Sequence, residues 1–183
     1  SDVYLIRTDS LGDTLWTKTY GGTTADMGYS VEQTTDGGYI VTGYTTSGST
    51  DAYLIRTDSF GDTLWTKTYG GSSPDVGYSV QQTSDSGYII AGWTGSFGHG
   101  GRDVYLIRTD ALGNTVWAKT YGGTDDEQGH SVQQTSDGGY IIAGHTWSFG
   151  AGSCDIYLIK TDSLGDTLWT KTFGGLKKDV GFS

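Results

Sequence analysis

One stretch of sequence, DVYLIRTDALGNTVWAKTYGG from Asp103 to Gly123, is written four times with small changes in this chain of 183 residues. The other copies begin at Asp2, Asp51 and Asp155, so the period is about 50 residues. A period of this length is typical of repeat architectures, in which each unit is one supersecondary element that packs on its neighbours. The repeat therefore constrains the fold far more than it constrains the activity.

The chain is rich in glycine and aromatic residues, with 31 Gly, 13 Tyr and 6 Trp against one Pro and one Met. Disordered segments are poor in aromatic and β-branched residues, whereas here such residues alternate with period two. This combination predicts many short strands that are joined by tight turns.

Each repeat contains four β-like runs. In the last complete copy these are His130–Thr135, Tyr140–His145, Asp155–Thr161 and Thr167–Phe173. Four antiparallel strands in about 50 residues predict an all-β fold, a β-propeller made of four-stranded antiparallel blades. Apolar residues on both faces of Val104–Arg108 predict that each blade packs on both sides.

The sequence opens just before the third strand of one repeat and stops inside the first strand of another, which predicts an incomplete ring of about 3.5 blades. We expect a single propeller segment over residues 1–183. It consists of a half blade (2–20), three blades (29–69, 78–121 and 130–173) and the start of another blade (174–183), which ends in the stub Gly181-Phe182-Ser183. Propellers close with 4 to 8 blades, and an open arc would expose apolar faces and strand edges. The expected partners are therefore other copies of the chain or the rest of a longer repeat protein.

Four tryptophans occupy equivalent positions in the fourth strand of each copy, namely Trp16, Trp65, Trp117 and Trp169. Because the position is the same in every copy, we predict that these residues pack between blades, each costing ~3–5 kcal/mol on truncation to alanine. The alternative is an aromatic cage for a ligand.

A ligand site is expected where the copies differ, which is after the second strand. The candidate ligand-binding residues there are Tyr44, Trp93, His145 and Trp147, which we expect on one rim of the propeller. Aromatic rings with small polar neighbours can stack on a sugar or hold a protein partner. The alternative is neutral variation in exposed loops.

Acidic residues recur where the chain crosses from one blade to the next, at Asp26, Asp75, Glu127 and Asp179. We predict that these carboxylates accept backbone N–H bonds in a tight crossover. The alternative is a calcium site, which needs 6 to 8 oxygen ligands, although no Asp-x-Asp-x-Asp-Gly loop is present. The acidic cluster Asp125-Asp126-Glu127 is the first place to test for calcium; otherwise no cofactor and no metal site are predicted.

The charge and the remaining motifs exclude several functions. A net charge of −10 without a Lys/Arg cluster argues against nucleic acid and anionic membrane surfaces as partners. No apolar run approaches the ~18 residues of a membrane span, and Cys154 is the single cysteine. The acidic residues are repeated turn residues and do not form the distinct pair that glycoside hydrolysis requires. The three histidines, His99, His130 and His145, lack metal-ligand spacing. No phosphate-binding loop or nucleophile elbow occurs. We therefore predict a protein that is not an enzyme and has no catalytic residues.

The repeat D-x-Y-L-I-R/K-T-D-x-x-G-D/N-T-x-W-x-K-T-Y/F-G-G, followed by G-Y-S-V-Q-Q-T-S-D-G-G-Y-I-I-A-G, resembles tandem-repeat β-propellers of secreted and surface proteins of bacteria and archaea. The resemblance covers essentially the whole chain. The half-repeat Thr161-Asp162…Gly165…Trp169 also looks like the tryptophan-docking motif of quinoprotein-like propellers, and kelch repeats are a more distant likeness. The resemblance implies a non-enzymatic structural or interaction module, located outside the cell or on its surface. The chain departs from a complete member in lacking ring closure.

Overall fold

The computed structural model of the chain describes residues 1–181, and this part contains β-strands but no helix. It therefore contains no helix that is long and apolar enough to cross a membrane. Phe182 and Ser183, which belong to the predicted stub, lie outside the described residues. The first two strands, β1 (Val3–Thr8) and β2 (Thr14–Tyr20), form a two-stranded antiparallel sheet, the N-terminal pair.

The remaining strands form three four-stranded antiparallel sheets, in which strands that follow one another in the chain are neighbours. The first sheet consists of β3 (Asp26–Gln33), β4 (Tyr39–Thr45), β5 (Asp51–Thr57) and β6 (Thr63–Tyr69). The second consists of β7 (Asp75–Gln82), β8 (Tyr88–Thr94), β9 (Asp103–Thr109) and β10 (Thr115–Tyr121). The third consists of β11 (Glu127–Gln134), β12 (Tyr140–Thr146), β13 (Asp155–Thr161) and β14 (Thr167–Phe173). The predicted all-β fold of tandem four-stranded antiparallel units is confirmed.

The first strand of each sheet begins earlier than the sequence predicted. In the third sheet, β11 begins at Glu127, which pairs with Thr146, whereas a start at His130 was expected. Asp26 and Asp75 begin β3 and β7 in the same way. An acidic residue two positions before a glycine is typical of a turn rather than a strand, because both residue types are depleted in strands.

The turn between the third and fourth strands of a sheet is closed by an aspartate. In the second sheet, Asp110 Oδ1 accepts the backbone N–H of Leu112 at 2.9 Å and that of Asn114 at 2.8 Å. Gly113 takes a left-handed φ of 75°, a conformation that strains residues with a Cβ. This explains why the turn sequence places glycine at this position in every copy.

The sheets stack face to face, and the second sheet is covered on both sides. All residues of β8 and β9 are buried. Alternation along β8 directs Ile90 toward the first sheet, where it packs with Ile40 and Leu54, and directs Ile89 toward the third sheet, where it packs with Ile142. The N-terminal pair packs on the free face of the first sheet through Val3, Tyr20, Val41 and Ile55.

The first strands of successive sheets are also joined by hydrogen bonds between side chains and backbone. The backbone N–H of Gln82 donates to Glu32 Oε2 at 2.9 Å, and the backbone N–H of Thr35 donates to Gln82 Oε1 at 2.8 Å. Both bonds recur between the second and third sheets, from the Gln134 N–H to Gln81 Oε1 and from the N–H of Ser84, in the turn after β7, to Gln134 Oε1. Each first strand is therefore held in register with the next one by a pair of reciprocal bonds.

Candidate binding site

A β-bulge in the first strand of each sheet directs one ring toward the neighbouring sheets. The pairing of β3 with β4 shifts register between Gly28 and Ser30, so Tyr29 is the extra residue. Tyr78 and His130 occupy the same bulge in β7 and β11. A bulge re-aims its side chain, and these three rings contact one another across the sheet junctions.

The bulge rings connect the variable second-strand residues into one continuous set, the aromatic row. In spatial order its members are Tyr44, Tyr29, Tyr78, His130, His145 and Trp147. Successive ring centroids lie 6.0, 5.0, 5.1, 4.8 and 4.5 Å apart. Rings at these separations attract each other through tilted, stacked and edge-on contacts, so the row is a preorganised surface that crosses all three four-stranded sheets.

The structure brings all four of the predicted ligand residues to this region. Tyr44, His145 and Trp147 are members of the row. Trp93 is buried beside it and donates its indole N–H to Tyr78 Oη at 3.2 Å. The Arg102 guanidinium lies 4.2 Å from the centroid of the Trp93 ring, so a cation covers this indole.

The three bulge residues of the row were not predicted from the sequence. A signal for them exists, because the aromatic residue before Ser-Val is Tyr29 and Tyr78 in two copies and His130 in the third. The second-strand residues were identified as candidates because the copies differ there. The change from tyrosine to histidine is a difference of the same kind.

Burial favours the neutral form of the two histidines of the row. His130 Nε2 and His145 Nδ1 are 2.9 Å apart, so one ring nitrogen donates to the other. Burial lowers the pKa of His130, and it lowers the pKa of His145 to about 4, with smaller contributions from His130 and Lys178. Both shifts favour the uncharged imidazoles at pH 7.

An open pocket of about 460 Å³ lies at the Trp147 end of the row. Its lining residues are Gly101, Thr124, Asp125, Asp126, Trp147 and Ser153. Trp147 is 36% exposed, and the Lys178 ammonium lies 5.5 Å from its ring centroid. Asp126 Oδ1 accepts the backbone N–H of Arg102 at 2.9 Å, whereas the Asp125 side chain is exposed. The pocket thus combines an indole face with carboxylate acceptors.

The four equivalent tryptophans lie on the fourth strands, and three of them contact the next sheet. The edge-on pairs are Trp16 with Tyr39, Trp65 with Tyr88 and Trp117 with Tyr140, at centroid distances of 5.7, 5.9 and 5.7 Å. Trp169 lies on β14, and no further sheet follows it within residues 1–181.

The predicted crossover carboxylates accept backbone N–H bonds. Three of them begin a four-stranded sheet, and Asp179 lies after the third sheet. Glu127 is fully buried, and its Oε2 accepts the Gly123 N–H at 2.6 Å while its Oε1 accepts the Thr146 hydroxyl at 2.6 Å. The corresponding backbone donors are Gly22 for Asp26, Gly71 for Asp75 and Gly175 for Asp179, at 3.0, 2.9 and 2.9 Å.

A second acid that the sequence analysis did not identify lies near each of these carboxylates. The second acids are Asp2, Asp51, Asp103 and Asp155. Each lies with its crossover carboxylate around one glycine, which is Gly21, Gly70, Gly122 or Gly174 respectively. Burial raises the pKa of Asp103, and the nearby charge of Glu127 raises it further. Within residues 1–181 no three His, Cys, Asp or Glu side chains are grouped to hold a metal ion.

Comparison with known proteins gives a likeness in fold and one partial relative. No family model matches the chain. Regulatory protein FlaEY of Caulobacter vibrioides is 30% identical over an alignment of 93 residues, which covers 44% of this chain and 10% of that protein. The crystal structure of a protein of unknown function from Bacteroides caccae matches with a TM-score of 0.56 at 10% identity, covering 94% of this chain and 58% of that one. The chain thus spans a tenth of the first and little more than half of the second.

Proposed function

We propose that the chain is a segment of an extracellular or cell-surface β-propeller that serves as a non-enzymatic structural and interaction module. Each four-stranded sheet would be one blade, and further repeats or other copies of the chain would complete the ring. The face-to-face stacking of the sheets in chain order supports this proposal, as do the reciprocal bonds between successive first strands.

The observation that carries the proposal is the exposure of apolar residues on the outer face of the N-terminal pair. Tyr4 is 58% exposed, whereas its equivalent Tyr105 is 7% exposed because it is covered by the first sheet. Ile6 is exposed and its equivalent Ile107 is buried. Apolar faces that neighbours cover inside the array are thus open at its end, and such patches mark sites of association.

The test is the mass of the particle in solution, by light scattering coupled to size exclusion at several concentrations. We expect a mass that rises above the 19.5 kDa of one chain as the concentration increases. Ile6→Lys should raise the concentration required for association about tenfold, because association would bury a charge. Leu112→Lys changes an exposed turn residue and is the matched control. A folded monomer of constant mass would count against self-association as the route to a complete ring.

A second candidate function is saccharide binding at the aromatic row, favoured by the pocket beside Trp147. Sugars bind with an apolar ring face against an aromatic side chain and with hydroxyl groups that donate to carboxylates. The exposed Trp147 face and the Asp125 carboxylate line one pocket, so both contacts are available to a single ligand.

A glycan array tests the second candidate, followed by calorimetry on any saccharide that binds. We expect Trp147→Ala to weaken binding at least about tenfold, as for other central aromatic contacts. Trp169→Ala is the control, because this tryptophan is similarly exposed but lies on β14, away from the row. An array without hits, or equal losses for both variants, would remove this candidate.

A further inference from the structure

The edge of β1 that faces away from β2 is unpaired among residues 1–181. The sequence of β1, Val3–Thr8, is identical to Val104–Thr109 of β9. In β9 that sequence lies between β10 on one side and β8 on the other, with Tyr88 opposite Thr109. One sequence therefore has two strand partners in the second sheet and a single partner in the N-terminal pair.

The unpaired edge borders a groove between β1 and β3. Two adjoining pockets of about 300 and 250 Å³ share Leu5 and Val31 in their lining. Val31 is 50% exposed, whereas its equivalent Val80 is 5% exposed, because the first sheet covers it. The groove is thus open at the place where the other junctions hold a first and a second strand.

A buried arginine in each of the first two four-stranded sheets shows that the hairpin turn beside it carries an acidic residue. Arg56 and Arg108 lie on the third strands and bind the carboxylates of Asp36 and Asp85, in the turns that join the first and second strands. Arg7 occupies the same position in β1, whose sheet has no such turn within residues 1–181. Its guanidinium donates instead to the Ser59 carbonyl at 2.9 Å.

The β3 side of the groove carries hydrogen-bonding groups that are used at the other junctions. The Oε1 atoms of Gln82 and Gln134 accept a backbone N–H from the hairpin turn of the preceding sheet. Gln33 is their equivalent and donates from its Nε2 to Gly37 at 3.3 Å within its own sheet. Its position matches that of an acceptor for one more hairpin turn.

We propose that this groove is an acceptor for a β-hairpin of the first-and-second-strand type found in the repeat, supplied by a repeat outside these residues. The second strand of the hairpin would pair antiparallel with β1, as β8 pairs with β9. Its turn would place an aspartate on Arg7 and a backbone N–H on Gln33. The inference rests on the proposed function, and it specifies the partner as a hairpin with an acidic turn rather than as a complete second copy.

The experiment uses the intact chain and a synthetic peptide with the sequence of the third hairpin, Gly129–Thr146. We expect saturable binding in calorimetry, weakened by the cost of ordering an isolated hairpin. Arg7→Gln in the chain and Asp137→Asn in the peptide should each weaken binding about tenfold, because each removes a charge-assisted bond. Combining the two should cost no more than either change alone, since they remove the same contact.

Two controls locate the binding. Lys18→Gln removes a partly exposed cation from β2 and should leave the affinity unchanged. A peptide with prolines at Ile142 and Ala143 cannot complete the strand ladder and should not bind. Hydrogen exchange should show new protection of the β1 amides on adding the peptide, whereas loss of protection of the β11 and β12 amides would reveal strand exchange at the third sheet and overturn the proposal.

The remaining outcomes separate this inference from the proposed function. If the chain self-associates but the hairpin peptide does not bind, the acceptor is overturned while the proposed function stands. If the β1 amides are already protected in a self-associated chain, the occupant is a second copy and the hairpin proposal falls. Binding of the peptide to a chain that stays monomeric supports the acceptor and counts against completion by self-association.

Discussion

Trp65→Ala is expected to lower the free energy of unfolding by about 3 kcal/mol, whereas Trp169→Ala should lower it by less than about 1 kcal/mol. The two residues occupy the same position in the repeat and differ in what lies beyond them. Trp65 packs on Tyr88 of the second sheet. Trp169 is 42% exposed and has no sheet beyond it in the described part of the chain.

The cost at Trp65 arises because the junction cannot close around a missing indole. The ring lies so close to Gly113 that a Cβ there would approach it to 2.8 Å, and the Tyr69 hydroxyl donates to the Gly113 carbonyl at 2.7 Å. The turn is therefore held in place by a second contact when the indole is removed. A cavity that cannot collapse adds to the lost transfer energy.

Urea denaturation followed by far-ultraviolet circular dichroism measures both variants, because tryptophan fluorescence would change with the substitution itself. Trp117→Ala, at the next junction, should behave like Trp65→Ala, since Trp117 contacts Tyr140 in the same geometry. Equal losses at Trp65 and Trp169 would show that the tryptophans act within their own sheets and not between sheets.

Gly92→Ala is expected to destabilise the chain by about 3 kcal/mol or more, through a collision with the backbone. Gly92 lies on β8 opposite Gly77 of β7. A Cβ on Gly92 would lie 1.8 Å from the carbonyl oxygen of Val76, far inside van der Waals contact. The backbone atoms of two paired strands would have to separate, at the bulge that positions Tyr78.

Gly22→Ala is the matched control, because a Cβ there would meet no atom within 4 Å and the backbone does not require glycine. We expect its stability to stay within about 0.5 kcal/mol of the parent chain. Both variants are compared by urea denaturation, with the yield of folded protein as a second readout. An unchanged Gly92→Ala variant would mean that β7 and β8 separate easily at the bulge.

The sequence predicted the second-strand members of the candidate site but not the residues that connect them. Tyr44 and His145 were identified because the copies differ there. Tyr29 and Tyr78 are identical residues, and a repeated tyrosine in an alternating strand is expected to pack in the core. The register shift after Gly28 and Gly77 redirects both rings, and a bulge depends on the pairing of two strands, which the alternation of one strand does not express.

The sequence by itself determined the all-β class, the four strands of each unit and their turns, because these follow from local alternation and from glycine and aspartate at turn positions. The tertiary structure decided which repeated residues meet. It placed Asp103 beside Glu127 and joined rings from three sheets into one row. Within residues 1–181 it also left Arg7 without the turn carboxylate that Arg56 and Arg108 bind. Identical residues have different surroundings because their burial and their contacts depend on the neighbouring sheet. That sheet lies about one repeat away along the chain.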